Sequence, residues 1–119
     1  MGSKKKAIWL SYDFGLKSNY SELFTFLDNY KAKDCGNGLA YFIYDNEGML
    51  SSDALIDKLK AEINDVVKPS VSDRIYVIWK DDEKSVLSVK GRFIFGARKA
   101  PIWNGYSNRG ENKQEDEAI

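Results

Sequence analysis

Residues 6–12 read Lys-Ala-Ile-Trp-Leu-Ser-Tyr, a short apolar run that predicts a strand at the centre of a sheet. The run stops at Asp13-Phe14-Gly15, where polar and glycine residues favour a turn. Two further runs have the same character: Leu39-Ala-Tyr-Phe-Ile-Tyr44 and Arg74-Ile-Tyr-Val-Ile-Trp79 are rich in aromatic and β-branched residues. The chain is therefore expected to form a sheet from three long strands.

The segments between these strands have helical spacing. Asn19 with Glu22 three residues on has the form of a capping box, which predicts the start of the first helix. The second helix is expected to begin at Ser51 or Ser52 and to end before Pro69. The predicted apolar faces are Tyr20, Leu23, Phe24, Leu27 and Tyr30 in the first helix, and Leu55, Ile56, Leu59, Ile63, Val66 and Val67 in the second.

The last third of the chain is rich in strand-forming residues. Residues 86–89 and 92–95 are predicted strands, and Lys90-Gly91 between them is predicted to be a tight reversal. The expected fold class is α+β and ferredoxin-like: an antiparallel sheet with two helices packed on one face and an extra C-terminal β-meander. Right-handed crossovers would place the first and third long strands centrally.

Length and composition predict a single domain. Of the 119 residues, 1–6 are expected to be disordered or tag-derived, 7–106 to form the ferredoxin-like domain, and 107–119 to be a disordered acidic tail. The chain has no histidine, which excludes Ser-His-Asp and Cys-His catalysis within it. A lone cysteine, Cys35, fits a reducing cytoplasm, and no apolar run is long enough to suggest a membrane span.

Asp13 is the single residue with the clearest functional interpretation. It directly follows a predicted central strand, where a rigid scaffold meets an exposed loop, so its carboxylate can face a ligand or a metal ion. The structural alternative is that Asp13 caps the turn formed with Phe14-Gly15.

A second candidate site lies between residues 90 and 106. Lys90, Arg92, Arg98 and Lys99 give this segment a charge of +4 with no acidic residue, and Phe93, Phe95, Trp103 and Tyr106 lie among them. Cations that contact phosphate and aromatic rings that stack on bases are typical of single-strand recognition. The predicted nucleic-acid-binding residues are Lys90, Arg92, Arg98, Lys99 and Trp103. The structural alternative is an ordinary edge strand with solubilising charges.

The order of these features resembles a known family. The residues that carry the resemblance are Leu10-Ser-Tyr-Asp13, Asn19-Tyr-Ser-Glu-Leu-Phe24, Gly38 to Asp45 and Asp73-Arg-Ile-Tyr76. Over residues 6–80 they are similar to the small ferredoxin-like nucleases of CRISPR adaptation and to their toxin–antitoxin relatives, the VapD ribonucleases and the GhoS-type antitoxin ribonuclease.

The resemblance implies a homodimer in which Asp13 lies near the two-fold axis. Two such carboxylates would share a cation such as Mg²⁺, and the metal would activate water against a phosphodiester. Asp13 is thus both the catalytic and the metal-ligand candidate, for an endonuclease or endoribonuclease acting on RNA or DNA.

Three functions remain open at this stage. The first is a nucleic-acid-associated cytoplasmic homodimer of a bacterial defence or toxin–antitoxin type, with or without metal-dependent nuclease activity. The alternative is a non-catalytic module that binds a protein partner through its sheet edge or through residues 90–106. A small-molecule-binding regulatory dimer is the third.

We expect the purified protein to be a homodimer in solution. A small domain with aromatic strands and a free sheet edge can bury apolar surface and satisfy its edge hydrogen bonds by pairing with a second copy. Light scattering at high micromolar concentration measures this, and a monomeric mass there would contradict the expectation.

Overall fold

The computed structural model describes residues 4–15, 19–80 and 88–108 of the chain. A final 3₁₀ turn covers Tyr106–Asn108. The strands and helices are, in chain order, β1 Lys5–Asp13, α1 Tyr20–Asn29, β2 Lys33–Gly36, β3 Leu39–Asp45, α2 Ser52–Val66, β4 Arg74–Lys80 and β5 Val89–Phe95.

The strands form one five-stranded sheet in the order β2-β3-β1-β4-β5. Every neighbouring pair is antiparallel, and β1 is the middle strand, hydrogen-bonded to β3 on one side and to β4 on the other. The predicted α+β class with an antiparallel sheet and two helices is therefore confirmed. No helix in the described part of the chain is long and apolar enough to cross a membrane.

The core lies between the two helices and one face of the sheet. Alternate residues of the central strands point toward the helices, as the two-residue period of a strand requires; Ile8 and Leu10 of β1 are fully buried. The other buried residues of this cluster include Phe42 and Tyr44 of β3, Ile75, Val77 and Trp79 of β4, Leu23, Phe26 and Leu27 of α1, and Leu55, Ile56, Leu59 and Ile63 of α2. Both helices thus pack on the same face.

Helix α1 begins where expected, but its first turn is held differently. The Asn19 side chain makes no capping bond to its own helix. Its amide donates instead to the backbone carbonyls of Val67 and Lys68, at 2.8 and 3.0 Å. The capping-box prediction is wrong because these carbonyls at the end of α2 lie within reach and need donors.

The predicted apolar faces of the helices are partly correct. Ser51 caps α2, and its hydroxyl accepts from the Ala54 amide at 3.3 Å. Val66, however, is exposed, and in α1 Phe26 is buried while Phe24 is half exposed. Each helix presents a narrower stripe to the sheet than the sequence pattern suggests.

The end of the sheet also differs from the prediction. Residues 90 and 91 form no reversal: β5 runs through both, with Lys90 opposite Trp79 and Gly91 opposite Ile78. Residues 86 and 87 of the predicted preceding strand lie outside the described residues, as do residues 1–3 and 109–119 of the predicted termini. At the start of the domain, β1 begins at Lys5, one residue before the predicted strand.

A partly buried polar cluster joins the two helices to β3. The hydroxyls of Tyr30 and Tyr44 both donate to the Glu62 carboxylate, the Tyr44 bond being 2.9 Å long. Burial, followed by the hydrogen bond and charge of Glu62, raises the pKa of both phenols far above the usual value of 10.0. The hydroxyls therefore remain donors at any ordinary pH.

Replacing Tyr44 with Phe should lower the free energy of unfolding by about 1.5–3 kcal/mol, because the hydrogen bond that is lost has a charged acceptor. Urea unfolding at pH 7 measures the effect. Tyr41→Phe is the matched control, since the Tyr41 hydroxyl makes no hydrogen bond among the described residues. An equal loss in the two variants would contradict the assigned role of Glu62.

The hydrogen bond from Tyr44 to Glu62 makes the free energy of unfolding depend on pH in the alkaline range. Because the pKa of Tyr44 is higher in the folded state than its unfolded value of 10.0, the unfolded state releases its proton first. The associated stability is complete below about pH 10 and is lost as pH rises above it. Tyr44→Phe should therefore lose less stability than the wild-type protein between pH 9.5 and pH 11.

Candidate functional site

The face of the sheet opposite the helices carries a continuous set of large side chains. Residues directly opposite in an antiparallel pair share one face, so the register fixes which side chains meet. Trp9 lies opposite Tyr41 and Ile78, and Tyr76 lies opposite Ser11 and Phe93. We call this surface the open face; it comprises Trp9, Ser11, Asp13, Tyr41, Arg74, Tyr76, Ile78 and Phe93.

Aromatic pairs form the floor of the open face. The ring centroids of Trp9 and Tyr41 lie 5.0 Å apart. Those of Tyr76 and Phe93 lie 4.8 Å apart with their planes at 72°. Trp9 is nevertheless 38% exposed, since no helix in the described structure covers this side. Aromatic rings held in place by a sheet and left accessible can stack on flat ligands.

A cation lies over this floor. The chain turns back after β5 at Gly96, whose φ of +78° favours glycine and where an added Cβ would lie 2.5 Å from Arg74 Cγ. The turn brings the Arg98 guanidinium to 5.8 Å from the centroid of Tyr76 and 5.6 Å from that of Phe93. Both distances are within the range of cation–π attraction.

These groups line an open depression of about 430 Å³, which we call the basic–aromatic pocket. Its lining residues are Ser11, Asp13, Arg74, Tyr76, Ile78, Phe93 and Arg98. A second depression of about 540 Å³ continues from it along Lys99 to Trp103 and shares Arg74, Phe93 and Arg98. The two together make a groove whose lining combines the basic side chains of Arg74, Arg98 and Lys99 with the aromatic rings of Tyr76, Phe93 and Trp103.

Asp13 lies at the rim of the basic–aromatic pocket. Its carboxylate accepts from the guanidinium of Arg74, the residue opposite it on β4. The turn-capping role is performed by the buried Asp73, which accepts from Gly15 N at 2.8 Å and from Ser70 N at 2.9 Å. Asp73 thus joins the end of β1 to the start of β4 and fixes the strand ends that carry Asp13 and Arg74.

The surroundings of Asp13 do not suit a divalent cation within one chain. A cation such as Mg²⁺ prefers several oxygen ligands, whereas the group in contact with Asp13 is a guanidinium. The described residues contain no cluster of three or more Asp, Glu, Cys or His side chains that could hold a metal ion. We therefore derive no catalytic step through a metal.

The predicted basic segment divides between the two faces of the sheet. Lys90 and Arg92 lie opposite Trp79 and Val77, whose side chains are in the core, so both belong to the helix face. Arg92 pairs there with Asp57 of α2. Arg98, Lys99 and Trp103 instead line the groove on the open face.

Sequence reasoning missed Arg74 and Tyr76 as site residues. We interpreted β4 only as a hydrophobic strand, but the alternation of Arg74, Tyr76 and Ile78 with buried neighbours indicates a second face that the core does not bury completely. Trp9 and Tyr41 carry the same signal in β1 and β3.

Gly91 makes room for the ring of Tyr76. A Cβ at this position would lie 2.7 Å from the Tyr76 hydroxyl oxygen and 2.8 Å from a ring carbon. The sequence suggested a turn glycine, but its purpose is the close approach of a side chain from the neighbouring strand.

Gly91→Ala should displace the Tyr76 ring and lower the free energy of unfolding by about 1–3 kcal/mol, the usual cost of overpacking. Urea unfolding and near-ultraviolet circular dichroism measure stability and ring packing. Gly48→Ala is the matched control, because its added Cβ meets only Leu50, at 3.7 Å. If the two alanine variants gave equal stability and unchanged aromatic spectra, the position of Tyr76 described above would be wrong.

Comparison of the chain with family models, with curated proteins and with solved structures returns no match. The functional interpretation therefore depends on the geometry and chemistry of the open face.

Proposed function

We propose that this protein binds single-stranded nucleic acid on the open face. The observation that carries the proposal is the position of Arg98 over Tyr76 and Phe93, with Arg74 beside them. Flat aromatic rings with cations at their margin are what a strand with unpaired bases requires: the rings stack on bases and the cations neutralise phosphates.

The size and charge of the groove support a single strand as the ligand. The basic–aromatic pocket is in the size range of small-ligand sites, of roughly 300–1,000 Å³, and the depression along Lys99 to Trp103 extends it in one direction. Among the described residues, the groove is lined by one acidic side chain, that of Asp13, and by three basic ones, those of Arg74, Arg98 and Lys99. A base that stacks on Tyr76 displaces the Arg98 guanidinium toward the sugar–phosphate backbone, where it contacts phosphate.

The proposal includes the fold family and the assembly. The arrangement β2-β3-β1-β4, with one helix after β1 and one after β3, supports a ferredoxin-like topology that β5 extends by one strand. A cytoplasmic homodimer of the CRISPR-adaptation or toxin–antitoxin type agrees with this topology. The metal-dependent nuclease implied by the resemblance requires Asp13 from two copies to converge, and it remains a separate proposal.

Binding should depend steeply on salt and on the cations of the groove. On single strands the logarithm of the association constant falls by about 0.7 per neutralised phosphate for each unit of log salt concentration. Arg98→Ala with Lys99→Ala should therefore reduce the slope by about 1.4. Fluorescence anisotropy with a labelled 12-nucleotide RNA or DNA, between 50 and 300 mM salt, measures it.

Two comparisons sharpen this experiment. Lys90→Ala with Arg92→Ala removes the same charge from the helix face and should leave the slope nearly unchanged. Tyr76→Leu removes a stacking ring without a charge, so it should weaken binding at every salt concentration with the slope preserved. No binding at 50 mM salt, or a slope that responds only to the helix-face pair, would contradict the proposal.

The second candidate function is a protein-interaction module. Ile102, Trp103 and Tyr106 are exposed by 89, 69 and 60%, which is unusual for large apolar side chains that lie close together in sequence. A protein partner is the favoured alternative if the anisotropy experiment detects no nucleic acid bound at low salt.

A further inference from the structure

We propose that the basic–aromatic pocket selects guanine, with Asp13 and Arg74 as the residues that read the base. This inference rests on the proposed function and names the base that the same site prefers. It starts from the pairing of Asp13 with Arg74 directly beside the pair Ser11 and Tyr76 on the open face. Tyr76 and Phe93 supply the stacking surface, and Arg98 and Lys99 can contact phosphate, so Arg74 can contact the base together with Asp13.

The register places the charged pair within reach of a stacked base. Tyr76 and Arg74 are two positions apart on β4, as are Ser11 and Asp13 on β1, so the two pairs are separated by roughly 6.6 Å along the strands. A purine stacked on the Tyr76 ring would extend its hydrogen-bonding edge toward Asp13 and Arg74. All of these side chains line the same pocket.

The two side chains present complementary groups to that edge. An ionised carboxylate accepts at about four lone-pair positions and a guanidinium has about five N–H donors, so their mutual bond leaves most of both groups available. The Asp13 side chain is 63% exposed and that of Arg74 is 23% exposed. The pair therefore offers acceptors from Asp13 next to donors from Arg74.

Guanine matches this arrangement better than the other bases. Its Watson–Crick edge has two adjacent N–H donors, N1–H and the N2 amino group, which together satisfy the two oxygens of a carboxylate. Its O6 and N7 atoms accept from a guanidinium in the commonest specific arginine–base contact. Adenine and cytosine each offer one amino group beside an acceptor, and uracil offers a single N–H between two acceptors.

Guanine selection also explains why a carboxylate, that of Asp13, lies in a groove that binds phosphate. A carboxylate in a groove that binds phosphate would repel the ligand, but the Arg74 guanidinium offsets that charge at contact distance. A base with a single donor leaves one of the two Asp13 oxygens facing an acceptor, which is unfavourable. The pair thus discriminates between bases while adding little net charge.

The test compares nine-nucleotide RNAs with four uridines on each side of one central base. We expect the guanine-containing RNA to bind roughly 5- to 150-fold more tightly than those with adenine or uracil, the range for one good bidentate contact. Inosine lacks the N2 amino group and tests Asp13, whereas 7-deazaguanine lacks the N7 acceptor and tests Arg74. Each should lose part of the preference.

Variants assign the preference to the charged pair. Asp13→Asn replaces one carboxylate oxygen by an amide donor, so it should remove most of the guanine preference. It should also strengthen binding to the all-uridine RNA, because a negative charge is lost from a groove that binds phosphate. Asp45→Asn is the matched control: it removes the same charge from another exposed ion pair at the opposite end of β1, with Lys5. Thermal unfolding confirms that both variants fold.

Each outcome decides a different point. Equal binding of all the RNAs overturns guanine selection and leaves the proposed function standing, whereas binding of none at 50 mM salt overturns the proposed function itself. A preference that survives in Asp13→Asn excludes Asp13 as its source. Guanosine monophosphate, added as a competitor, shows whether the pocket binds a free nucleotide or a base within a strand. If it displaces the RNA at a concentration equal to that of the RNA, the pocket binds the free nucleotide and recognition within a strand is overturned.

Discussion

The packing of both helices on one face of the sheet is the constraint on which the rest of the molecule depends. Because α1 and α2 bury the same set of alternate strand residues, no helix covers the remaining set in the described structure. In an ordinary half-covered sheet that second set would be polar. Here it includes Trp9, Tyr41, Tyr76 and Phe93, and an accessible face with this composition is typical of a binding surface.

Two residues near the strand ends, Asp73 and Gly96, give this face the shape of a groove. Asp73 holds the chain after β1 against the chain before β4, so Asp13 and Arg74 are fixed in register. Gly96 then turns the chain after β5 back toward the sheet and carries Arg98 and the residues up to Trp103 across the aromatic floor. The base of the site is thus formed by the paired strands of the sheet, and its rim is formed by the segment that follows β5.

The parts of this structure that follow from local pattern could be predicted from the sequence, and those that depend on neighbouring strands could not. The three long strands, the α+β class and the Ser51 cap are local features. Gly91 looks like a turn residue until Tyr76 is known to lie across it, and Asn19 looks like a helix cap until the end of α2 is known to lie beside it. The same is true of the basic segment, because only the pairing of β5 with β4 separates Lys90 and Arg92 from Arg98. Strand β2, four residues long and exposed throughout, has no hydrophobic pattern by which it could be recognised.

The central position of β1 also affects how the chain reaches its native state. Asp13 is paired with a residue 61 positions later in the chain, so the middle strand has one unsatisfied edge until β4 has been made. At a synthesis rate of about 5–20 residues per second, roughly 3–12 seconds separate the two strands on the ribosome. Pairing over such distances in sequence also makes folding slow after release. During that interval the apolar β1 exposes backbone donors and acceptors to other nascent chains, and a holding chaperone that covers this strand would raise the yield of native protein.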